Sequence, residues 1–307
     1  MNKRQKQVQQ SLLNSELEVI KELEKSYQQT VKDIDRVIAS LLARKDTENL
    51  QAIIYQLKYQ NALKKELEGF LSVLHTRNYT LIDNYLKDCY ENAHIGTLFD
   101  LQGQGIPLIL PLEQEQMISA ITLNSKLSAP LYNALGFNIE YLKTSVRMEI
   151  SRGIAQSLSY QEIARNVKNT TNVDYNKSLR IAKTEGHRIQ CESAYNVQLK
   201  AKEKGADIVK QWDSTLDSRT RPTHQKLDGE LVKVDEKFSN GLLYPGDSNG
   251  IASEVVNCRC ALLQRAKWAL TEEEFTKMNG KTNELQHFES VDDYNKFKNI
   301  FWKLTKK

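Results

Sequence analysis

Three side chains in the C-terminal half of this 307-residue chain carry the most suggestive chemistry: Cys258 and Cys260, which flank a single arginine, and His224 upstream of them. In extended backbone, side chains two apart point the same way, so both sulfurs would face one side. With His224 they would offer Zn²⁺ three ligands, leaving Asp217, Asp228 or His187 as a fourth. The spacing is not that of a standard zinc finger, and a disulfide across one residue would be strained. The same residue types allow a second chemistry, with Cys258 or Cys260 as nucleophile, His224 as base and Asp217 or Asp228 orienting it. No nucleophile elbow precedes either cysteine. A third reading makes both thiols small buried hydrophobes and His224 a hydrogen-bonded core residue. Residue types leave all three open.

Arg219, Arg221 and Arg259 could grip phosphate in bidentate fashion. The nearby acids point to an internal role instead: Asp217 stands beside Arg219, and Glu185 and Arg188 have the i,i+3 spacing of a helical ion pair. Trp212, at the end of a strand-like run, reads as a core anchor. Cys89 and Cys191 fall in helical context as ordinary buried residues.

The elements that must position these groups are mostly helical. Leu13, Leu17, Ile20, Tyr27, Val31, Ile34, Ile38 and Leu41 recur at steps of three, four or seven and predict a long amphipathic helix. A polar break at 44–49, with Asp46 or Thr47 as N-cap, precedes a second series from Leu50 and Ile54 through Leu57, Leu63, Leu67, Leu71 and Leu74. The pair reads as a hairpin, or as an arm whose narrow apolar stripe suits a coiled coil. Gly96, Gly103, Gly105, Pro107 and Pro111 predict a break and an extended connector or edge strand over 106–112. Helices then resume to Lys204, one of them announced by the capping box Ser159-Tyr-Gln-Glu162. That string also occurs in helix-turn-helix proteins, but capping boxes are far commoner. After Gly205 the runs 208–212 and 231–234 alternate as short strands, Asp228-Gly229 marks a turn, and a Gly/Pro loop follows. From Thr271 the chain returns to helix, with starts at Thr271-x-x-Glu274 and Ser290-x-x-Asp293, and ends in an aromatic and basic docking tail. The expected fold class is therefore α+β, mostly helical. Its domains are a helical arm or hairpin (1–95), a Gly/Pro connector (96–111), an α+β domain (112–265) and a helical tail (266–307).

A net charge of +4, with 27% charged residues, does not by itself mark a nucleic-acid binder. No run approaches the ~18 apolar residues of a membrane span, and the first residues lead into a polar stretch rather than a signal peptide. The chain is expected to begin its life in a cytoplasm.

From Trp212 the sequence runs Trp-Asp-Ser-Thr-Leu-Asp217-Ser-Arg219-Thr-Arg221-Pro-Thr-His224-Gln-Lys-Leu-Asp228-Gly229, then a proline loop, then Asn257-Cys258-Arg259-Cys260. This order of elements resembles the phage Mu protein-F-like head morphogenesis proteins of tailed bacteriophages. Thr184-Glu185-x-x-Arg188 and the helix after it extend the resemblance over roughly Leu142 to Leu263. The resemblance implies a non-enzymatic minor head (minor capsid) protein, present in few copies in the virion and assembled in the host cytoplasm. It further implies action at the portal vertex in head assembly and in handling packaged DNA, with portal protein, scaffold or coat protein as partners and no membrane. Two rivals stand beside it: a Cys/His-dependent hydrolase, and a double-stranded DNA-binding module using Arg36, Arg44, Lys45, Lys64 and Lys65.

Since the surplus of positive charge is small and no base-reading helix is evident, any DNA binding is expected to be weak, sequence-independent and steeply salt-dependent. Titrating labelled duplexes at rising salt measures this. Tight binding to one sequence at physiological salt would restore the helix-turn-helix reading.

Overall fold

The computed structural model describes residues 1–42, 57–122, 131–156, 158, 160–270 and 292–305. Its helices are α1 (Lys3–Leu42), α2 (Leu57–Gly103), α3 (Gln114–Thr122), α4 (Leu131–Ala155), α5 (Tyr160–Glu203), the short α6 (Pro222–Lys226) and α7 (Ala252–Val255), and α8 (Asp292–Thr305). Strands β1 (Ile208–Asp213), β2 (Leu231–Lys233) and β3 (Ala261–Ala266) form an antiparallel sheet in the order β2-β1-β3. The fold is α+β and mostly helical, as expected. Among the described residues no helix is long and apolar enough to cross a membrane. Asp46, Thr47, Leu50 and Ile54, with Arg44 and Lys45, lie outside the described residues, as do Ser159, Thr271, Glu274 and Ser290. The helix expected to follow Ser159 does run from Tyr160.

Compactness divides the chain along different lines from its linear order. One unit gathers Met1–Leu17, Tyr85–Lys126 and Lys183–Lys307, the other Glu18–Asn84 and Leu127–Ala182. The linear partition at 95, 111 and 265 does not follow these units, because α1, α2 and α5 each contribute to both.

In the second unit, Tyr27, Ile34 and Ile38 of α1 share a core with Leu67, Leu71 and Leu74 of α2, Leu142, Val146 and Ile150 of α4, and Ile163 and Val167 of α5. The first two helices therefore pack together and also against two later ones, burying the stripe within the chain. The Tyr27 hydroxyl donates to Asp174 Oδ2 at 2.8 Å, giving one oxygen of a buried carboxylate a partner. One detail of the sequence pattern is corrected. Leu13 and Leu17 are each 53% exposed, whereas Val8, Leu12, Val19 and Leu23 are buried. With two adjacent leucines at 12 and 13, the face set by Val8, Val19 and Leu23 selects Leu12.

In the first unit, α1 and α2 approach closely at glycines. A Cβ on Gly96 would lie 2.4 Å from Val8 Cγ1, and one on Gly103 would lie 2.4 Å from Arg4 Cδ. The expected break at Gly96 is thus corrected: the residue sits inside α2, where a missing side chain admits a neighbouring helix. Arg4 also donates to the Phe99 carbonyl at 2.6 Å, with its guanidinium 4.3 Å from the Phe99 ring centre. Buried Asp100 collects amide donors from Asn2, Gln5, Gln104 and Gln264, fastening the N-terminus to β3. Burial still raises its pKa, against those hydrogen bonds.

Beyond α2 the 106–112 run is irregular rather than a strand of the sheet; Leu110 is buried and its carbonyl bonds His94 Nε2 at 2.8 Å. The end of α5 is set by Gly205 at φ +87°, which permits the closing bond from Ala206 N–H to the Ala201 carbonyl at 3.0 Å. At the chain's far end α8 docks as a tail, with Tyr294 and Phe301 buried in the core and the Tyr294 hydroxyl donating to the Asn92 carbonyl at 2.9 Å.

Ala is normally worth ~1 kcal/mol over Gly inside a helix. Gly69→Ala, with nothing within 4 Å of the added Cβ, should gain about that much. Gly96→Ala should instead lose about 1–3 kcal/mol, because stiff, β-branched Val8 must move. Chemical denaturation of both variants reads the two opposite signs; a stabilising Gly96→Ala would refute the close crossing.

Candidate functional site

The site forms where two segments, 212–229 and 254–260, meet beside the sheet. Antiparallel pairing of β1 with β3 sets Trp212 opposite Leu262 and Asp213 opposite Ala261, so the residues just past β1 adjoin those just before β3. Trp212 is fully buried, meeting His224 and Phe238 edge-on at 5.4 and 5.2 Å, which confirms it as the core anchor. Its carbonyl accepts from Gly229 at 2.8 Å and its N–H donates to Glu230. Gly229, at φ +80°, closes the Leu-Asp-Gly turn.

His224 does not lie on a strand. It projects from α6, one turn of helix opened by Pro222, whose fixed φ and missing N–H suit a first helical position. Cys258 and Cys260 lie in irregular backbone between α7 and β3, after Asn257, which takes a positive φ of 54°. His224 Nδ1 is 3.7 Å from Cys258 Sγ and 3.3 Å from Cys260 Sγ. All three residues are between 1 and 3% exposed. All four cysteines of the chain are free thiols.

Asp217, Asp228 and His187 do not join this cluster among the described residues. Asp217 accepts both guanidinium nitrogens of Arg259, at 2.7 and 2.6 Å, together with the Arg219 N–H and the Thr220 hydroxyl. Its carboxyl is held well below the usual range, first by the Arg259 hydrogen bond. The expected pairing with Arg219 is therefore secondary: that guanidinium is 3.4 Å away, and Arg259 is the main partner. Asp228 accepts the Ser214 N–H at 2.8 Å, fixing the turn. His187 Nε2 lies 3.8 Å from Cys191 Sγ, and burial pushes its pKa down to about 4. Cys191 is buried against the Cys260 carbonyl and Cys89 accepts from Gln190, so both behave as the expected packing thiols.

The residue that sequence reasoning missed is Glu254. Its Oε2 is 2.9 Å from His224 Nε2, and its carboxylate also accepts from the Thr223 hydroxyl. It lies on four-residue α7 with no motif around it, so only the fold reveals it. Two more ties join the segments: Arg221 donates to the Val256 carbonyl at 2.5 Å, and the Thr215 hydroxyl donates to the Arg259 carbonyl at 3.0 Å. Upstream, Arg188 is fully buried between Glu185 at 2.9 Å and Glu192 at 2.5 Å and donates to the Ala120 carbonyl, confirming the internal pair expected there.

Electrostatically, Cys260 is the acidic thiol. The hydrogen bond from Cys258 lowers it most, against burial, with help from His224 and Ser214. Cys258, as donor in that bond, is pushed well above its ordinary value. Burial opposes charge on His224, but the Cys260 bond and charge, with Glu254, outweigh it and raise its pKa. A triad is thus present in outline, with Glu254 as orienter in place of Asp217 or Asp228. Both sulfurs, however, are enclosed rather than presented on an elbow. Of the basic residues considered for DNA, Arg36 pairs with Asp33 at 2.8 Å and Lys65 is exposed.

The Asp-x-Arg-Thr-Arg-x-x-His and Asn-Cys-Arg-Cys elements thus brace one another beside a small antiparallel sheet in a mostly helical chain. Residues 144–263 match the family described as Phage Mu protein F like protein. The chain is 26% identical over 258 residues to the minor head protein GP7 of Bacillus phage SPP1, covering 79% of this chain and 80% of that one. It is also 30% identical over 305 residues to the NAD(+)--arginine ADP-ribosyltransferase EFV of Enterococcus faecalis (strain ATCC 700802 / V583), covering 96% of this chain but only 60% of that protein's length. No solved structure matches. Residues 144–263, which carry the site, are thus similar to the phage Mu protein F like family, and most of the chain is similar to a minor head protein.

Because Asp217 is held below its ordinary pKa in the folded chain, the stabilisation it contributes is present above about pH 4 and lost as the pH falls below that. Asp217→Asn should therefore flatten the loss of thermal stability between about pH 4 and 2 relative to the unmodified chain. Identical acid profiles for the two would show that the Arg259 clamp contributes nothing to folding.

Proposed function

We propose that this chain is a structural minor head protein that acts at the portal vertex of a tailed phage, in head assembly and in handling packaged DNA. The observation that carries the reading is the use of the family motif in this fold. Its charged residues are engaged in bracing one segment against another, and its two cysteines are enclosed, as suits a rigid module of an assembly. The named role of the phage SPP1 relative agrees with it. Portal protein is the partner, with scaffold or coat protein as further contacts and double-stranded DNA touched only through its phosphates. The site of action is the virion, reached by assembly in the host cytoplasm.

The enterococcal relative's name concerns a protein of which this chain spans 60%. For this chain the reading is non-enzymatic, and no transfer of ADP-ribose from NAD⁺ to arginine is expected from it.

Affinity capture of the tagged chain from cells assembling its heads, followed by mass spectrometry, should recover portal protein, and purified heads should contain the chain in few copies. Heads that lack the chain, or arginine-directed ADP-ribosylation by the purified protein, would overturn the proposal.

A further inference from the structure

We infer that His224, Cys258 and Cys260 form a Zn²⁺ site that locks α6 to the segment entering β3. The inference does not rest on the head-protein reading.

The first support is the spacing of the donors. Tetrahedral Zn²⁺, with bonds of about 2.3 Å to sulfur and 2.0–2.1 Å to nitrogen, sets neighbouring sulfur and nitrogen ligands about 3.6 Å apart. The two sulfur-to-Nδ1 distances here are 3.7 and 3.3 Å, and all three donor atoms lie within 4.8 Å of one another. Both sulfur-to-nitrogen separations already match those of a ligand set.

The second support is the far side of the imidazole. An ionised carboxylate can only accept, so Glu254, 2.9 Å from Nε2, keeps a proton on that nitrogen and directs Nδ1 toward the sulfurs. A carboxylate behind a metal-binding histidine is the usual means of fixing its tautomer and ring orientation.

The third support is the frame. Arg259, lying between the two cysteines, is held by Asp217, and Arg221 is tied to Val256, so both ligand-bearing segments are fixed by contacts independent of the ion. Two thiolates and an imidazole form the soft-to-borderline donor set that favours Zn²⁺ over Mg²⁺ or Ca²⁺. On binding, the three side chains together release two protons and gain the ion. The fourth position goes to a water drawn from the ≈680 Å³ cavity that both cysteines line, since Asp217 and Asp228 are engaged elsewhere and His187 lies outside the cluster, against Cys191. The enclosure that disfavours a nucleophile suits a buried metal.

The test uses the full chain, purified without a metal-affinity tag and without chelator. Elemental mass spectrometry should find about one zinc per chain. Replacement by Co²⁺ should give a thiolate-to-metal charge-transfer band. Cys258→Ala and Cys260→Ala should each lose metal and band, whereas Cys89→Ala should keep both. Glu254→Gln leaves every ligand in place and should weaken Zn²⁺ binding about 10- to 100-fold, giving a readout even where a cysteine variant fails to fold. Failure of the unmodified chain to take up Zn²⁺ or Co²⁺ supplied alone would overturn the inference. Zinc retained by a folded variant carrying both Cys258→Ala and Cys260→Ala would do the same.

Discussion

The clamp between Asp217 and Arg259 is the contact around which the C-terminal site is built. Two parallel hydrogen bonds at 2.7 and 2.6 Å fix both the distance and the plane of the pair. Each side chain is about a third exposed, at 33 and 37%, so water screens the pair and its value lies in geometry more than in raw stability. Because Arg259 sits between Cys258 and Cys260, anchoring it also sets where both sulfurs point. Because Asp217 precedes α6, the same clamp sets where His224 enters.

Two buried polar clusters, one around Arg188 and one around Asp100, lie in the same unit as this clamp. Arg188 has carboxylates on both sides and a backbone carbonyl as third partner, and Asp100 has four amide donors. Removing one member of such a set leaves the others buried without partners, which costs far more than the bond itself is worth in water. That asymmetry explains how residues from Asn2 to Gln264 can be held in one register. The apolar core around Trp212 supplies the packing, and the polar clusters supply the alignment.

Family likeness and site geometry bear on function in different ways. The matched region makes the chain similar to the phage Mu protein F like family, while the cysteine and histidine geometry is a local matter of donor atoms and burial. The outline of a triad with Glu254 shows why fold and motif alone are weak guides to chemistry. Identical donors serve as nucleophile, ligand or packing atom according to what encloses them.

Much of the architecture was legible in the sequence because helical and strand periodicities are local. The apolar steps along α1 and α2, the alternation at 208–212, the Asp228-Gly229 turn and the pairing of Glu185 with Arg188 follow from neighbours a few residues apart. His224, Cys258 and Cys260 could be named as a candidate set from their residue types, but their convergence joins positions 34 and 36 residues apart. Only the tertiary structure decided the rest. It chose Leu12 over Leu13 for the core, kept Gly96 inside a helix because Val8 crosses there, and gave Asp217 to Arg259 rather than to Arg219. Glu254 became the partner of His224 only when α7 was folded against α6. The physical reason is common to these cases: a local pattern fixes which way a side chain points along its own element, but its partner is fixed by long-range packing.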